Sequence, residues 1–189
     1  MKGAQTEIYW TTFTHSLFSG IPLQVAATER GLCLIALPDD THMNLKQWVG
    51  KKFPNAKLIE HQSRLSPYLE QLQSYCEGES TSFEIPLDLQ GTNFQISVWT
   101  ALMKIPYGQS RSYFDIAKMI NNPQATRAVG SANGANPIPI VIPCHRVIGK
   151  NGTLTGYSGG LQAKEKLLRL EGYFDYTVSG HARFSPSIL

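Results

Sequence analysis

The chain has 189 residues, 42% of them hydrophobic and 16% charged, with a net charge of +3. This composition excludes disordered and fibrous classes and suits one large or two small globular domains. The charge is uneven: residues 1–90 hold seven Lys/Arg against ten Asp/Glu, residues 91–189 ten against four, so a polyanionic partner would meet the second half. No apolar run approaches the roughly 18 residues that span a membrane. The opening Met1-Lys2-Gly3-Ala4-Gln5-Thr6-Glu7 has no secretory apolar stretch. The cysteines, Cys33, Cys76 and Cys144, are far apart with no Cys-x-x-Cys pair, against a disulfide framework or a zinc site. A reducing cytoplasm is expected.

Residues 8–14, 21–28 and 32–37 are rich in β-branched and aromatic side chains, with Gly20 and Gly31 at the turns. They predict an antiparallel three-stranded meander. Residues 41–53 and 65–76 read as helices, the first capped by Asp40 or Thr41. Residues 77–81 form a loop, and residues 83–91, with Pro86, an extended connector at a domain boundary. His15, His42 and His61 are scattered and assemble no site.

The second half opens on Thr92-Asn93-Phe94-Gln95, the form of a capping box. Phe94, Val98 and Leu102, with Trp99 and Met103 alongside, make a core stripe. Ser112-Tyr113-Phe114-Asp115 is a second capping box, and behind it Tyr113, Ile116, Ala117 and Ile120 share one helix face. Asn121-Asn122-Pro123 turns the chain, with Asn122 as N-cap and Pro123 at the first helical position. The helix 124–132 that follows carries mostly Ala, Gly and Ser, with Arg127 its one long charged side chain. The pair forms a helix-turn-helix, and the second helix lacks bulk. It suits close approach to another molecule or tight packing within the protein, equally. The chain then runs extended to Ile148. Residues 149–160 contain five glycines and read as an exposed loop, a wing. Residues 161–171 form a last helix, stopped at Gly172. Residues 173–189 show no periodicity and predict a loose tail. The domains expected are 1–90 and 91–174, with 175–189 as the tail.

Chemistry concentrates in Ile140-Val141-Ile142-Pro143-Cys144-His145-Arg146-Val147-Ile148-Gly149. A thiolate is the strongest protein nucleophile near neutral pH, and the adjacent cations are expected to lower the pKa of Cys144. His145 is the adjacent base. Neighbours in an extended strand point to opposite faces, so contact needs a local bend or a water relay. Glu171 is a candidate to orient His145. A carboxylate at a helix C-terminus opposes the macrodipole, and an ion pair would offset that.

The run Pro143-Cys144-His145-Arg146-Val147 resembles the active-site signature of the O6-alkylguanine-DNA alkyltransferases, the methylated-DNA–protein-cysteine methyltransferases. Arg111-Ser112-Tyr113, Ala125-Thr126-Arg127-Ala128-Val129-Gly130, Asn136-Pro137-Ile138-Pro139-Ile140, Gly156-Tyr157-Ser158-Gly159-Gly160-Leu161 and Leu170-Glu171-Gly172 match in order and spacing. The resemblance is strong over residues 91–172; residues 1–90 resemble only the general plan of the family's first domain. Several motifs in register are far more specific than one.

The resemblance implies an α+β protein: a small ribonuclease H-like α/β domain with a three-stranded antiparallel sheet, then a mostly helical winged helix-turn-helix domain. It implies that Cys144 accepts the alkyl group, that His145 deprotonates it through a water, that Glu171 holds His145, and that Tyr113 donates to the damaged guanine. Arg127 would fill the space of the extruded nucleotide, with Asn122, Ala128, Gly130, Ser131 and Lys150 also on DNA. Asn136 would brace the turn beside the site, and Pro139, Tyr157, Ser158 and Gly159 would help form the base pocket. The partner implied is double-stranded DNA containing O6-alkylguanine, entered by the minor groove, with O4-alkylthymine a second candidate lesion. The protein would act once, as a monomer, with no cofactor, metal or membrane. The sequence departs from the family in its longer tail and in Phe114. A winged-helix regulator without catalysis would leave Cys144, His145 and Glu171 unexplained. A Cys-His hydrolase would need an oxyanion hole and turnover.

Overall fold

The computed structural model describes residues 5–37, 44–178 and 181–183. The chain divides into two compact units, residues 1–90 and 91–189.

In the first unit β1 (Glu7–Phe13), β2 (Leu23–Thr28) and β3 (Gly31–Ala36) form the antiparallel meander. Every residue of β3 is buried, as its unbroken apolar run dictates. Helix α1 (Leu45–Lys52) follows. Its Leu45, Trp48 and Val49 bury against Ile8 and Leu34 of the sheet. Asn44 caps α1, its side-chain oxygen accepting from the Lys46 and Gln47 amides. The helix therefore starts at Leu45 rather than 41; Asp40, Thr41 and His42 lie outside the described residues. A fourth strand, β4 (Lys57–Glu60), pairs parallel to β1 and gives the order β3-β2-β1-β4. The sheet is thus four-stranded and mixed, not three-stranded. Four residues with charged ends carry too little alternation to announce a strand. Helix α2 (Gln62–Cys76) packs on β1 and β2. The connector then runs beside β3, where Leu32 donates to the Pro86 carbonyl at 2.9 Å. Gly31, at φ +146°, permits that approach, since a Cβ there would collide with the Pro86 carbonyl.

In the second unit α3 (Asn93–Leu102) and α4 (Tyr113–Met119) both begin with the capping boxes expected. Val98, Trp99 and Leu102 are buried as the stripe requires, but Met103 is exposed just past the helix end. The two-residue strand β5 (Arg111–Ser112) leads into α4. Pro123 opens a short 3-10 turn, and α5 (Thr126–Gly134) starts only after it. Asn122 stands in the cap position but makes no side-chain capping bond. Trp99 Nε1 donates to the Ala132 carbonyl at 2.9 Å, fixing α5 on α3. Strand β6 (Val147–Ile148) pairs parallel with β5, and α6 (Gly160–Leu170) closes the unit.

The segment after Gly172 is not loose over its described residues. Tyr176 is 1% exposed and packs with Ile148, Leu154 and Leu168. Thr177 exchanges backbone hydrogen bonds with Gly152 and Leu154 of the preceding loop. Strand β7 (Thr177–Val178) then pairs with β8 (His181–Arg183). A short aromatic anchor has no period, which is why the sequence did not disclose it. Among the described residues no helix is long and apolar enough to cross a membrane.

Candidate active site

Residues 136–142 fold into a turn that delivers Cys144. Asn136 holds it from inside, donating Nδ2 to the Ile142 carbonyl at 2.8 Å and accepting from the Ile138 amide at 3.0 Å. Ile140 within it has φ +77°, a conformation costly for a β-branched residue. Pro139 is buried in the same turn and bridges to Ile142. The chain does not then run extended. Cys144–Arg146 form a single 3-10 turn, the local bend that adjacent Cys and His side chains need.

That bend buries all three side chains. Cys144 is 2% exposed and His145 0%. His145 Nε2 lies 2.8 Å from Glu171 Oε1. The Arg146 guanidinium donates to both Glu171 oxygens at 2.9 to 3.1 Å and to the Ile105 carbonyl at 2.6 Å. The Gly108 amide donates to Glu171 Oε2 at 3.1 Å. Burial would raise the Glu171 pKa, but His145 and Arg146 outweigh it and hold the carboxyl at about 2. Burial lowers the His145 pKa against the opposing pull of Glu171, so the ring is neutral at neutral pH. Glu171, ionised, can only accept. The His145 proton therefore sits on Nε2, and Nδ1 is the basic nitrogen.

The expectation that neighbouring cations depress the Cys144 pKa is overturned. Arg146 is committed to Glu171 and Ile105, and His145 is uncharged. Burial pushes the thiol up to about 11, with Asn136 and Lys164 pulling the other way. Lys164 was absent from the sequence reading. It is fully buried on α6, donating to the Val147 and Thr155 carbonyls at 2.6 and 2.8 Å. Burial lowers its pKa to about 8, against the pull of Cys144. A signal existed: Lys164 precedes Leu167 and Leu168 by three and four residues, on the apolar face of the helix. Asn133 was also missed; it is buried on α5 with Nδ2 3.5 Å from the Cys144 carbonyl.

Tyr113, at the first position of α4, receives a 3.3 Å hydrogen bond from Thr155 Oγ1. Burial raises its pKa, and Cys144 adds to the shift, so the phenol keeps its proton and stands within electrostatic reach of the sulfur. Gly130 is half-buried beside the Tyr113 ring. Asn122, Arg127, Ala128 and Ser131 are exposed on the outer side of α5 and its lead-in, while Val129, Ala132 and Asn133 face inward. Lys150 is exposed on the loop after β6. Tyr157 and Ser158 are half-buried and Gly159 buried where the chain enters α6.

A thiol with a neutral imidazole and a buried carboxylate, in the same unit as a helix-turn-helix, has the make-up of a cysteine-nucleophile site. Residues 8–89 match the family 6-O-methylguanine DNA methyltransferase, ribonuclease-like domain, and residues 93–173 match 6-O-methylguanine DNA methyltransferase, DNA binding domain. The inducible methylated-DNA–protein-cysteine methyltransferase of Bacillus subtilis is 44% identical, over 90% of this chain and 94% of its own. That of Methanosarcina mazei is 48% identical, over 79% and 90%. The crystal structure of Mycobacterium tuberculosis OGT in complex with DNA superposes with a TM-score of 0.74 at 41% identity, covering 87% of this chain and 92% of that one. The chain belongs to the methylated-DNA–protein-cysteine methyltransferase family.

Proposed function

We propose that this protein repairs double-stranded DNA by moving the alkyl group of O6-alkylguanine onto Cys144, once per chain. One observation carries the reading: a buried thiol is joined by a single tight turn to a His145–Glu171 pair, behind a helix whose outer side is Arg127 among small residues. A lesion carbon inside a duplex is out of reach, so the nucleotide must rotate out, and weak pairing of an alkylated base lowers that cost. Ala128 and Ser131 let the α5 backbone lie close in the minor groove, and Arg127 fills the vacated stack. Asn122 and Lys150 hold the flanking backbone. Asn136 and Pro139 keep the turn before Cys144 in place, and Tyr157, Ser158 and Gly159 wall the base.

The thiol is neutral in the free protein, so the proton leaves as the lesion binds. It passes from Sγ to His145 Nδ1 by way of a water, and Glu171 stabilises the imidazolium that forms. The Lys164 ammonium favours the thiolate. Sulfur attacks the alkyl carbon in line, the carbon–O6 bond breaks, and its electron pair returns to the guanine, to which the Tyr113 hydroxyl donates a hydrogen bond; the proton held on His145 leaves through water and neutralises the base. The product is a thioether, and no group at the site can cleave it. The balance needs no cofactor. The same displacement serves O4-alkylthymine. Residues 1–90 support the domain 91–174, which carries both DNA binding and chemistry; the protein acts as a monomer, in a cytoplasm that keeps its thiols reduced.

Arg127→Ala tests base extrusion. Single-turnover rates on a duplex containing O6-methylguanine should fall by roughly 10² or more, with a much smaller change on the free base O6-methylguanine. Equal slowing on both substrates removes the extrusion role.

A further inference from the structure

The loop 149–160 carries five glycines, a composition that leaves a chain many conformations unless something holds it. The segment after Gly172 holds it here. The Thr177 amide donates to the Gly152 carbonyl and the Thr177 carbonyl accepts from the Leu154 amide, both at 2.9 Å. Thr177 Oγ1 lies 3.3 Å from Thr153 Oγ1. Tyr176 fixes this strap to the rest of the unit. Its ring is 1% exposed, between Ile148, Leu154 and Leu168. Its hydroxyl donates to Glu165 Oε1 at 3.2 Å and accepts from Arg169 Nε at 3.1 Å. The last strapped residue, Leu154, is followed at once by Thr155. The Thr155 carbonyl accepts from Lys164 Nζ at 2.8 Å, and Thr155 Oγ1 donates to the Tyr113 hydroxyl at 3.3 Å.

That last bond bears on the reaction. A phenol has one proton to give. With Thr155 donating to its oxygen, Tyr113 keeps that proton for another acceptor, and a hydroxyl that itself accepts a hydrogen bond donates more strongly. An anchor that served stability alone would need the Tyr176 ring in its apolar seat. It would not need two backbone hydrogen bonds into a loop whose next residue contacts Tyr113. We propose that Tyr176 and Thr177 are positioning residues for alkyl transfer: they set the glycine-rich loop so that Thr155 aims the Tyr113 hydroxyl at the departing base. The inference rests on the proposed function of this chain, and it gives the segment beyond residue 174 a part in the geometry of the reaction.

The test follows single-turnover methyl transfer to the full chain from O6-methylguanine, both as the free base, where DNA contacts play no part, and in a duplex. Tyr176→Ala should slow transfer roughly tenfold on both substrates. Tyr176→Phe, which keeps the ring in its seat, should restore most of the rate. Thr177→Pro removes the amide that donates to Gly152 and leaves the anchor in place. It should also slow transfer, and it decides the matter if Tyr176→Ala does not fold. In a Tyr113→Phe background neither substitution should slow transfer further, because the hydroxyl they position is gone. A purely structural role would slow both backgrounds by the same factor. Equal factors, or native rates in folded Tyr176→Ala and Thr177→Pro, would overturn the positioning role and leave the proposed function standing. An unmutated chain that takes no methyl from either substrate would overturn the proposed function, and this inference with it.

Discussion

At the scale of single residues, the site turns on how charge is spent. Glu171 collects His145, Arg146 and the Gly108 amide on one buried carboxylate, so its helix-end position serves an ion-paired hub. Removing one member of a buried charged set leaves the others uncompensated, at about 3–5 kcal/mol. Glu171→Gln should therefore lower the unfolding free energy by about that much and slow alkyl transfer roughly 10²-fold. A carboxyl held at about 2 stabilises the fold above its ordinary value of 4.5, and that contribution is lost as pH falls from 4.5 to about 2. Denaturant titrations should show this acid loss in the native chain and not in the variant. Lys164 carries a separate signature. It is charged below about pH 8, so its support of the thiolate should be present there and lost above. Single-turnover rates on O6-methylguanine duplex should decline above pH 8 in the native protein. In Lys164→Gln they should be lower overall and lack that decline; matching alkaline limbs would remove the role. Cys144 and His145 were legible because their order and types are chemically loud; Glu171, a helix-end carboxylate, was only a candidate from its residue type, and the family resemblance singled it out. Lys164 left a signal only in its spacing to Leu167 and Leu168, and Asn133 left none, because a buried polar group is defined mainly by three-dimensional surroundings. The sequence also misjudged the thiol, since proximity in sequence placed Arg146 near Cys144 while the fold turned it to Glu171.

At the scale of elements, capping residues and periodicity made the helices of the second unit legible. Thr92 and Ser112 each close a reciprocal box, and local chemistry of that kind survives any tertiary setting. The start of α5 was less legible: a proline after asparagine fits a helix opening or a 3-10 turn, and here it is the turn. The short β4 and the Tyr176 anchor depend on partners distant in sequence, β1 and α6 with Leu154, so no window along the chain could find them. The outer side of α5 owes its proposed use to the absence of bulk. Ala128 is exposed, and Ala128→Leu should leave thermal stability within about 0.5 kcal/mol. Duplex affinity should fall about tenfold, the equivalent of about 1.4 kcal/mol, with reaction on the free base unaffected. Undiminished binding to duplex would show that α5 does not lie against DNA.

At the scale of the whole molecule, the sequence divides as its charge does. The acidic half is the unit with the mixed sheet, and the basic half is the unit that contains Cys144. The break at Gln90 was readable from Pro86 and the change in patterning, because connectors lack the periodicity of packed elements. The N-terminal unit disclosed a fold and no chemistry, since among its described residues no titratable groups converge on a site with the character of the one around Cys144. The central claim is covalent: one sulfur takes one alkyl group and keeps it. The direct measurement is peptide-resolved mass spectrometry after incubation with excess duplex bearing isotopically labelled O6-methylguanine. One labelled methyl per chain is predicted, on Cys144, with none on Cys144→Ala. Label on another residue, or more than one repaired lesion per chain, would contradict the account.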